Sequence, residues 1–511
     1  MLGKIQIRPH GWSWLWLLLL ISFRVWFSVV LPMTGDEAYF VFWGEHPAGG
    51  YYDHPPMVGW WLTALLAFAH SQWFLRLPSM ALPLFLAWCG WWIARPQGDE
   101  RARYAAILIL LQPVNVWNVL ITTDTPLIFF SMLSMVAYFA ALRGKQAFSV
   151  ESSWHALAGV FLGLAFLSKY FAALLGISYV IHVLFIRRDY ARFAGLSILF
   201  IAAIPALIYN LWWNSHHGWV NILFNFMNRN SSAGPSVNNP VLYAISLFYL
   251  ATPWLLHEFW KNRNHVAVIV AKNGEAAVAF WILVIPLTLF GLMSLWRSVG
   301  LHWLLSFTPL FAILAAIALP LMTLSKLVKW SASFAVLHML IVILIATQPI
   351  QVWKNSRLYD GIVLTVRAEE VLLKLEPYAK DYLFSTEGYS LAATLSYNSR
   401  RPFAVFGEGS FYARQDDFVT DWRTQSGRNV LILRKSQPSK NSYVPFFDRV
   451  DFSDFEIEGV RYYLVLGQGF NYAEYHDKVL LRIRDRFYRI PAWLPQYGCD
   501  FCDRYFQSSS H

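Results

Sequence analysis

Gly35-Asp36-Glu37-Ala38-Tyr39, followed by Tyr51-Tyr52-Asp53-His54-Pro55-Pro56, is the stretch on which the fold turns. Residues 35–56 hold four carboxylates, Asp36, Glu37, Glu45 and Asp53, and two histidines, His46 and His54. They begin directly after an apolar run, 12–32, long enough to cross a bilayer. Ionised side chains avoid hydrocarbon unless they line a polar cavity or carry function. A loop this polar at the end of a span is therefore a candidate site at a membrane surface.

The rest of the chain agrees. Apolar residues make up 57% of 511 and charged residues 14%, and the mean hydropathy is +0.40. These values exclude an ordinary soluble domain and predict an α-helical polytopic membrane protein. The net charge of +10 falls in short clusters between apolar runs, so no nucleic-acid partner is expected. A hydropathy window of about 19 residues predicts eleven spans, near 12–32, 76–94, 104–121, 125–142, 155–168, 170–186, 192–212, 241–256, 276–296, 301–321 and 328–348. The first is too long, and too poor in small residues at its end, for a cleaved signal peptide. The apolar segment 57–69 is short and follows a double proline, which predicts a helix in or dipping into the interface.

Charge fixes the parity of these spans. With the N-terminus inside, the inner loops hold Lys4, Arg8, Arg95, Arg101, Arg103, Arg143, Lys145, Arg187, Arg188, Arg192, Lys261, Arg263, Lys272, Lys326 and Lys329, and the outer loops only Arg76, Lys169, Arg229 and Arg297. Fifteen against four obeys the positive-inside rule. The same parity places Asp36, Glu37, Asp53, His54, Asp124, Lys169, His216, His217, Arg297 and His302 on the outer face.

From about Asn355 the composition turns charged and aromatic, with β-like runs at 382–386, 403–406, 429–434 and 462–468 between Gly, Pro, Asn and Ser. The expected division is a transmembrane domain over 1–354, with its first outer loop at 33–75, and a soluble outer α/β domain over 355–511. Three cysteines make no disulfide framework, and the lone Cys499-Asp500-Phe501-Cys502 is weak evidence for zinc. In an oxidising outer compartment Cys499 and Cys502 can form a local disulfide.

Asp36-Glu37-Ala38-Tyr39 after a first span, Tyr52-Asp53-His54-Pro55-Pro56, and Arg76-Leu77-Pro78-Ser79 opening the next span form an ordered set. Thr123-Asp124-Thr125-Pro126-Leu127, Leu167-Ser168-Lys169-Tyr170, Trp213-Asn214-Ser215-His216-His217-Gly218-Trp219 and Glu387-Gly388-Tyr389-Ser390 follow it. Over roughly residues 12–410 the set resembles the bacterial polyprenyl-phosphate-dependent glycosyltransferases of the GT-C fold. These are relatives of protein O-mannosyltransferases and of the lipid A aminoarabinose and galacturonic acid transferases. The resemblance implies an inverting transfer of a monosaccharide from a polyprenyl-phosphate donor. The acceptor would be a lipid, glycan or protein at the periplasmic face of a bacterial inner membrane.

Such a transfer needs a base near the acceptor hydroxyl and cations to hold the departing phosphate. The resemblance makes Asp36 the catalytic carboxylate; its other reading is a helix cap, as Asp favours a first turn. Glu37 is expected to be the more structural of the pair. Asp124 reads as a turn or cap residue, or as a second catalytic acid orienting Lys169, Arg297 or substrate. Arg297, with its planar fork, is the main phosphate contact expected, and Lys169 the second. Both cations also suit a simple anchoring role at helix ends.

Just before Pro55 the backbone should be extended and turn Asp53 and His54 to opposite sides. The metal-binding members of the family resembled imply a ligand at Asp53. The aminoarabinose transferases carry Lys at the next position, where this chain has His54, a phosphate donor, a metal ligand or a plain loop histidine. A divalent metal ion held by Asp53 with His217 is one reading of the histidines; an interfacial aromatic belt around His216, His217 and His302 is the other. The aromatic residues are expected mostly in belts and core, with some of Tyr39, Trp43, Tyr51 and Tyr52 as candidates to stack on sugar rings; Glu37, Tyr52 and His302 are candidates to line the substrate cleft, and Glu387 and Tyr389 to reach it from the outer domain. The polar loop 224–240 reads as a lid or a linker. A transporter or flippase of lipid-linked sugars is the rival function. It suits an outward polar cavity, but the internal repeats usual in transporters are lacking.

Overall fold

The computed structural model describes residues 10–143, 148–186, 190–230, 234–410 and 412–506. Lys4, Arg8, Lys145, Arg187 and Arg188 of the inner loops and Ser231 and Ser232 of the loop 224–240 lie outside the described residues. The chain forms two compact units. One comprises Met1–Leu31, Ser71–Leu207 and Ala233–Thr347, the other Pro32–His70, Ile208–Ser232 and Gln348–His511. The boundary expected at 355 therefore lies at Gln348, and two segments from the range 1–354 fold with the C-terminal domain. The reason is packing: Tyr52, Trp213, Val220 and Phe224 complete one of its hydrophobic clusters.

The first unit is helical. Among the described residues, five helices are long and apolar enough to cross a membrane, Gln72–Gln97, Asp124–Leu142, Ala191–His216, Gly274–Ser294 and Leu321–Thr347, or up to seven if each of two bent pairs is one span. Four apolar helices are shorter, Val150–Phe166, Ala172–Phe185 and Pro309–Ala318 in this unit and Met57–Leu66 in the other. The expected run 241–256 bends by 85° between Asn238–Ala251 and Pro253–Lys261, and two others, 104–121 and 301–321, are not single helices either. In the first of these two, the helix Asp99–Leu110 ends before Pro113, which opens a five-residue helix, Pro113–Trp117. The carbonyls freed there need donors inside the protein. Arg24, buried within the helix His10–Val30, supplies them. Its guanidinium donates to Asn115 O at 2.5 Å, Asn118 O at 2.8 Å and Ser79 O at 2.7 Å.

In the second, the turn Leu301–Leu304 precedes Pro309–Ala318, a helix of ten residues, every one of them buried. A helix apolar all round belongs in a core. Arg101 caps its C-terminus by donating to Ala316 O and Leu319 O. Small residues let other helices approach closely. A Cβ at Gly159 would stand 1.9 Å from Leu199 O, and one at Gly163 2.9 Å from the Ala206 side chain.

The second unit carries a five-stranded sheet of β1 (Tyr382–Thr386), β2 (Ala404–Val405), β3 (Asn429–Arg434), β4 (Phe447–Ile457) and β5 (Val460–Phe470). The order is β2-β1-β3-β5-β4, with β1 parallel to β2 and β3 and the remaining pairs antiparallel. Alternation in β3 serves two faces. Val430 and Ile432 join a cluster with Ile483, Phe487 and Phe501, while Leu431 and Leu433 join Val363, Val371 and Leu391. The expected α/β character holds. β4 was not expected, because Asp448, Arg449, Asp451, Asp454 and Glu456 make it look like a loop. It is an edge strand, where such charges deter pairing with another chain. Glu458 and Gly459, at φ of 51° and 78°, turn it into β5, as a two-residue hairpin loop of type I′ requires.

Candidate active site

In the second unit the helix Gly35–Glu45 starts at a capping box. Thr34 Oγ1 accepts from the Glu37 N–H at 3.3 Å, and Glu37 Oε2 accepts from the Thr34 N–H at 3.1 Å. Glu37 is thereby buried and spent on the cap. Asp36, one residue earlier, is exposed. Its Oδ1 accepts a 2.9 Å hydrogen bond from Tyr389, the first residue of the helix Tyr389–Ser399. Burial, then the Asp36 carboxylate, push the Tyr389 hydroxyl above its ordinary range, so it stays a donor at neutral pH.

Beneath this pair lies an aromatic and amide frame. Tyr39 packs edge-on to Tyr389 at 5.1 Å. Its hydroxyl donates to Asp53 Oδ1 at 3.4 Å and accepts from the Gln415 N–H at 3.2 Å. Burial, then the charge on Asp53, raise this hydroxyl too. Gln415 Oε1 takes the Tyr52 N–H at 2.9 Å, Asn221 Nδ2 donates to Tyr51 O at 3.0 Å, and Asn225 Nδ2 donates to Asp53 O at 2.9 Å. The carbonyls and amides of the loop at 51–53 are thus held from two other segments of the same unit. Tyr51 stacks on Trp43 at 4.4 Å and presses on Gly59, where a Cβ would meet the Tyr51 hydroxyl at 2.1 Å.

In the first unit, Asp124 opens the helix Asp124–Leu142 and its two carboxylate oxygens accept from Lys169 Nζ at 2.8 and 2.9 Å. Both residues are buried. Arg76, fully buried, donates to Ser28 O and Leu31 O at 2.8 and 2.6 Å, satisfying carbonyls at the end of the first helix. Arg297 is half-buried in the turn after Gly274–Ser294, and His302 is exposed in Leu301–Leu304.

Comparison with known proteins adds to this geometry. The crystal structure of ArnT from Cupriavidus metallidurans bound to undecaprenyl phosphate matches with a TM-score of 0.60 at 13% identity, covering 90% of this chain and 98% of that one. Its apo form matches with a TM-score of 0.60 at 14% identity, covering 89% and 98%. The fold is GT-C. In sequence, residues 53–213 of this chain match the family described as dolichyl-phosphate-mannose-protein mannosyltransferase. Lipid A galacturonosyltransferase RgtD from Rhizobium johnstonii is 29% identical over 214 residues, 39% of this chain and 43% of the relative. The match thus spans less than half the length of that relative.

The chain brings Asp36 to Tyr389 and, in line with one expected reading, Asp124 to Lys169, each pair within its own unit. It corrects others. Asp53 and His54 do not point apart: His54 Nδ1 lies 3.5 Å from Asp53 Oδ2, because residues 52–54 bend and the Tyr51 N–H donates back to His54 O. Tyr39, Trp43, Tyr51 and Tyr52 are all buried and offer no face to a sugar; Tyr52 packs on Phe224 and Tyr488. Glu387 is turned to the C-terminal end of β3, where it pairs with Arg434 at 2.9 Å and accepts from the Lys435 N–H. The loop expected at 224–240 begins as the last turn of a helix, Val220–Phe226, that carries Asn221 and Asn225.

The donor set expected for a divalent ion, Asp53 with His217, does not assemble. His217 stacks on Trp213 at 4.3 Å and faces Asp500 Oδ2 at 3.9 Å, while Asp53 is taken by Tyr39 and His54. No group of three or more His, Cys, Asp or Glu suited to a metal gathers among the described residues. Asn221 was not anticipated, and Gln415, expected only within a run 411–417 that would meet a sugar or a partner or form a solvated loop, instead holds the loop at 51–53. Each acts through a backbone atom more than a hundred residues away in sequence, a distance at which local pattern is silent.

Proposed function

We propose that this chain transfers a monosaccharide from a polyprenyl-phosphate donor to a hydroxyl of a lipid, glycan or protein acceptor. The reaction would take place at the periplasmic face of a bacterial inner membrane, with the N-terminus cytoplasmic. The observation that carries the reading is the division between two adjacent carboxylates. Glu37 is buried and closes the helix cap, which leaves Asp36 exposed and held by Tyr389 through one oxygen only. A carboxylate accepts at both oxygens. Oδ2 is thus left to take a proton.

In the proposed step the acceptor oxygen attacks the anomeric carbon while the bond from that carbon to the phosphate oxygen breaks. The acceptor proton passes to Asp36, and the bond electrons leave with the polyprenyl phosphate. Arg297 and Lys169 are assigned to the phosphate, with His54 as a further donor. Arg297 is the stronger candidate, because its planar guanidinium can meet two phosphate oxygens at once where Lys169 offers a point charge. The GT-C fold and the ArnT structure with undecaprenyl phosphate support a lipid-phosphate donor.

Purified protein in nanodiscs, given radiolabelled polyprenyl-phosphate sugars and a membrane lipid extract, tests the reading. Label should pass to a new product with wild type and not with a folded Asp36→Asn variant. A fully active Asp36→Asn protein would remove the catalytic assignment. Movement of labelled lipid between leaflets without any transfer would replace the reading by a transporter.

A further inference from the structure

An open cavity of about 730 Å³ lies in the second unit among residues 484–506, within the ~300–1,000 Å³ usual for small-molecule sites. No residue of the proposed transfer lines it. One rim is fastened to the end of the helix Tyr190–His216. The Tyr497 N–H donates to Ser215 O at 3.1 Å, the Gly218 N–H to Gly498 O at 2.9 Å and Trp219 Nε1 to Pro495 O at 2.7 Å. Gly498 is required, since a Cβ there would stand 2.5 Å from His216 O. The Cys499–Cys502 disulfide closes the turn that follows, and Asp503 Oδ2 accepts from the Cys499 N–H at 2.9 Å. Tyr488, which also lines the cavity, is held by stacking on Phe501 at 4.4 Å. The cavity is therefore preorganised.

Its lining carries two arginines, Arg484 and Arg489, and two aspartates, Asp485 and Asp503, so what matters is how they pair. Arg484 pairs with Asp485 at 2.8 Å and lies over Phe506 at 4.6 Å. Asp503 is engaged by the Cys499 backbone. Arg489 is exposed and has no ion pair or hydrogen bond among the described residues. Of the two guanidinium groups lining the cavity, that of Arg489 is thus the one with no carboxylate bonded to it, and the Gln496 amide lines the same cavity. Tyr497 stacks one face on His216 at 5.3 Å, yet is 69% exposed, so its other face is open.

We propose that this cavity is a saccharide-binding site selective for sugars bearing one phosphate or carboxylate. The ring would lie on the open face of Tyr497, with Gln496 and Asp485 meeting hydroxyls. Arg489 would form the charge-assisted contact to the anionic group.

The test is a binding titration on the full chain in nanodiscs with N-acetylglucosamine 1-phosphate, glucuronic acid, N-acetylglucosamine, inorganic phosphate and glycerol 3-phosphate. The two anionic sugars should bind about tenfold or more tighter than the neutral one, the worth of one hydrogen bond to a charged group. Arg489→Ala should erase that preference while leaving neutral-sugar binding unchanged. Arg489→Lys should restore part of it. Tyr497→Ala should weaken all three sugars alike, and unchanged thermal unfolding would show that both variants fold. Equal binding by wild type and Arg489→Ala, no sugar binding at all, or inorganic phosphate or glycerol 3-phosphate matching the sugar phosphate would overturn the proposal. The site does not depend on sugar transfer. Binding should persist in Asp36→Asn, so failure here and failure of the transferase reading are separate results.

Discussion

The Tyr389 hydroxyl donates a 2.9 Å hydrogen bond to Oδ1 of Asp36, across 353 residues of sequence. It fixes the carboxylate's direction and leaves the second oxygen for a proton. A hydrogen bond to a charged group is worth about 1.5–3 kcal/mol. Tyr389→Phe keeps the ring against Tyr39 and deletes only the donor. We expect kcat to fall about tenfold with the donor KM little changed and thermal unfolding unaltered, since looser positioning acts on the reacting step. Steady-state transfer kinetics decide, and an unchanged kcat would mean that the contact is merely structural.

Glu37 should separate from Asp36 in the opposite sense. Losing a capping-box partner costs about 1 kcal/mol, so Glu37→Ala should lower the unfolding temperature and leave kcat within a factor of a few. Loss of activity in a folded Glu37→Ala protein comparable to that of Asp36→Asn would contradict the division between the two carboxylates.

Lys169 and Asp124 form a buried ion pair, and removing one partner from such a pair typically costs about 3–5 kcal/mol by stranding the other charge. Lys169→Met should therefore destabilise strongly, and adding Asp124→Asn should recover most of the loss. A double-mutant cycle on unfolding measures the coupling. Additive effects would show that the pair is not the main role of Lys169. Donor KM measured on the stable double variant then reports what remains of the phosphate role.

What the sequence made legible follows the range of the interactions. The polar stretch after the first apolar run, the two exact strands Tyr382–Thr386 and Asn429–Arg434, and the structural bent of Glu37 are local, written in hydropathy, alternation and i,i+3 spacing. The edge strand Phe447–Ile457 escaped because its charges serve solubility and resemble those of a loop. Arg24 vanished inside an apolar window, although its guanidinium supports the broken backbone at Asn115 and Asn118. Trp43 and Tyr51 looked like sugar platforms, because an aromatic ring carries the same signal whether it faces a cleft or another ring. No local pattern could pair Asp36 with Tyr389.

Asp416 makes the second unit sensitive to pH. Burial pushes its carboxyl up to about 7 from 3.8, although Thr420 Oγ1 at 2.8 Å and the Val405 N–H at 3.1 Å donate to it. Between those values the native chain holds a proton that the unfolded chain has released. Stability should therefore fall as pH rises from 3.8 to about 7 and level off above. Asn at this position accepts from Val405 through its oxygen and donates to the Thr420 hydroxyl through its amide, so Asp416→Asn keeps both contacts and cannot titrate. Other carboxylates titrate alike in both proteins and cancel in the difference. We expect the difference in unfolding temperature between Asp416→Asn and wild type to grow in favour of the variant across that window. A difference flat with pH would mean that Asp416 is ionised throughout and that its two donors outweigh its burial.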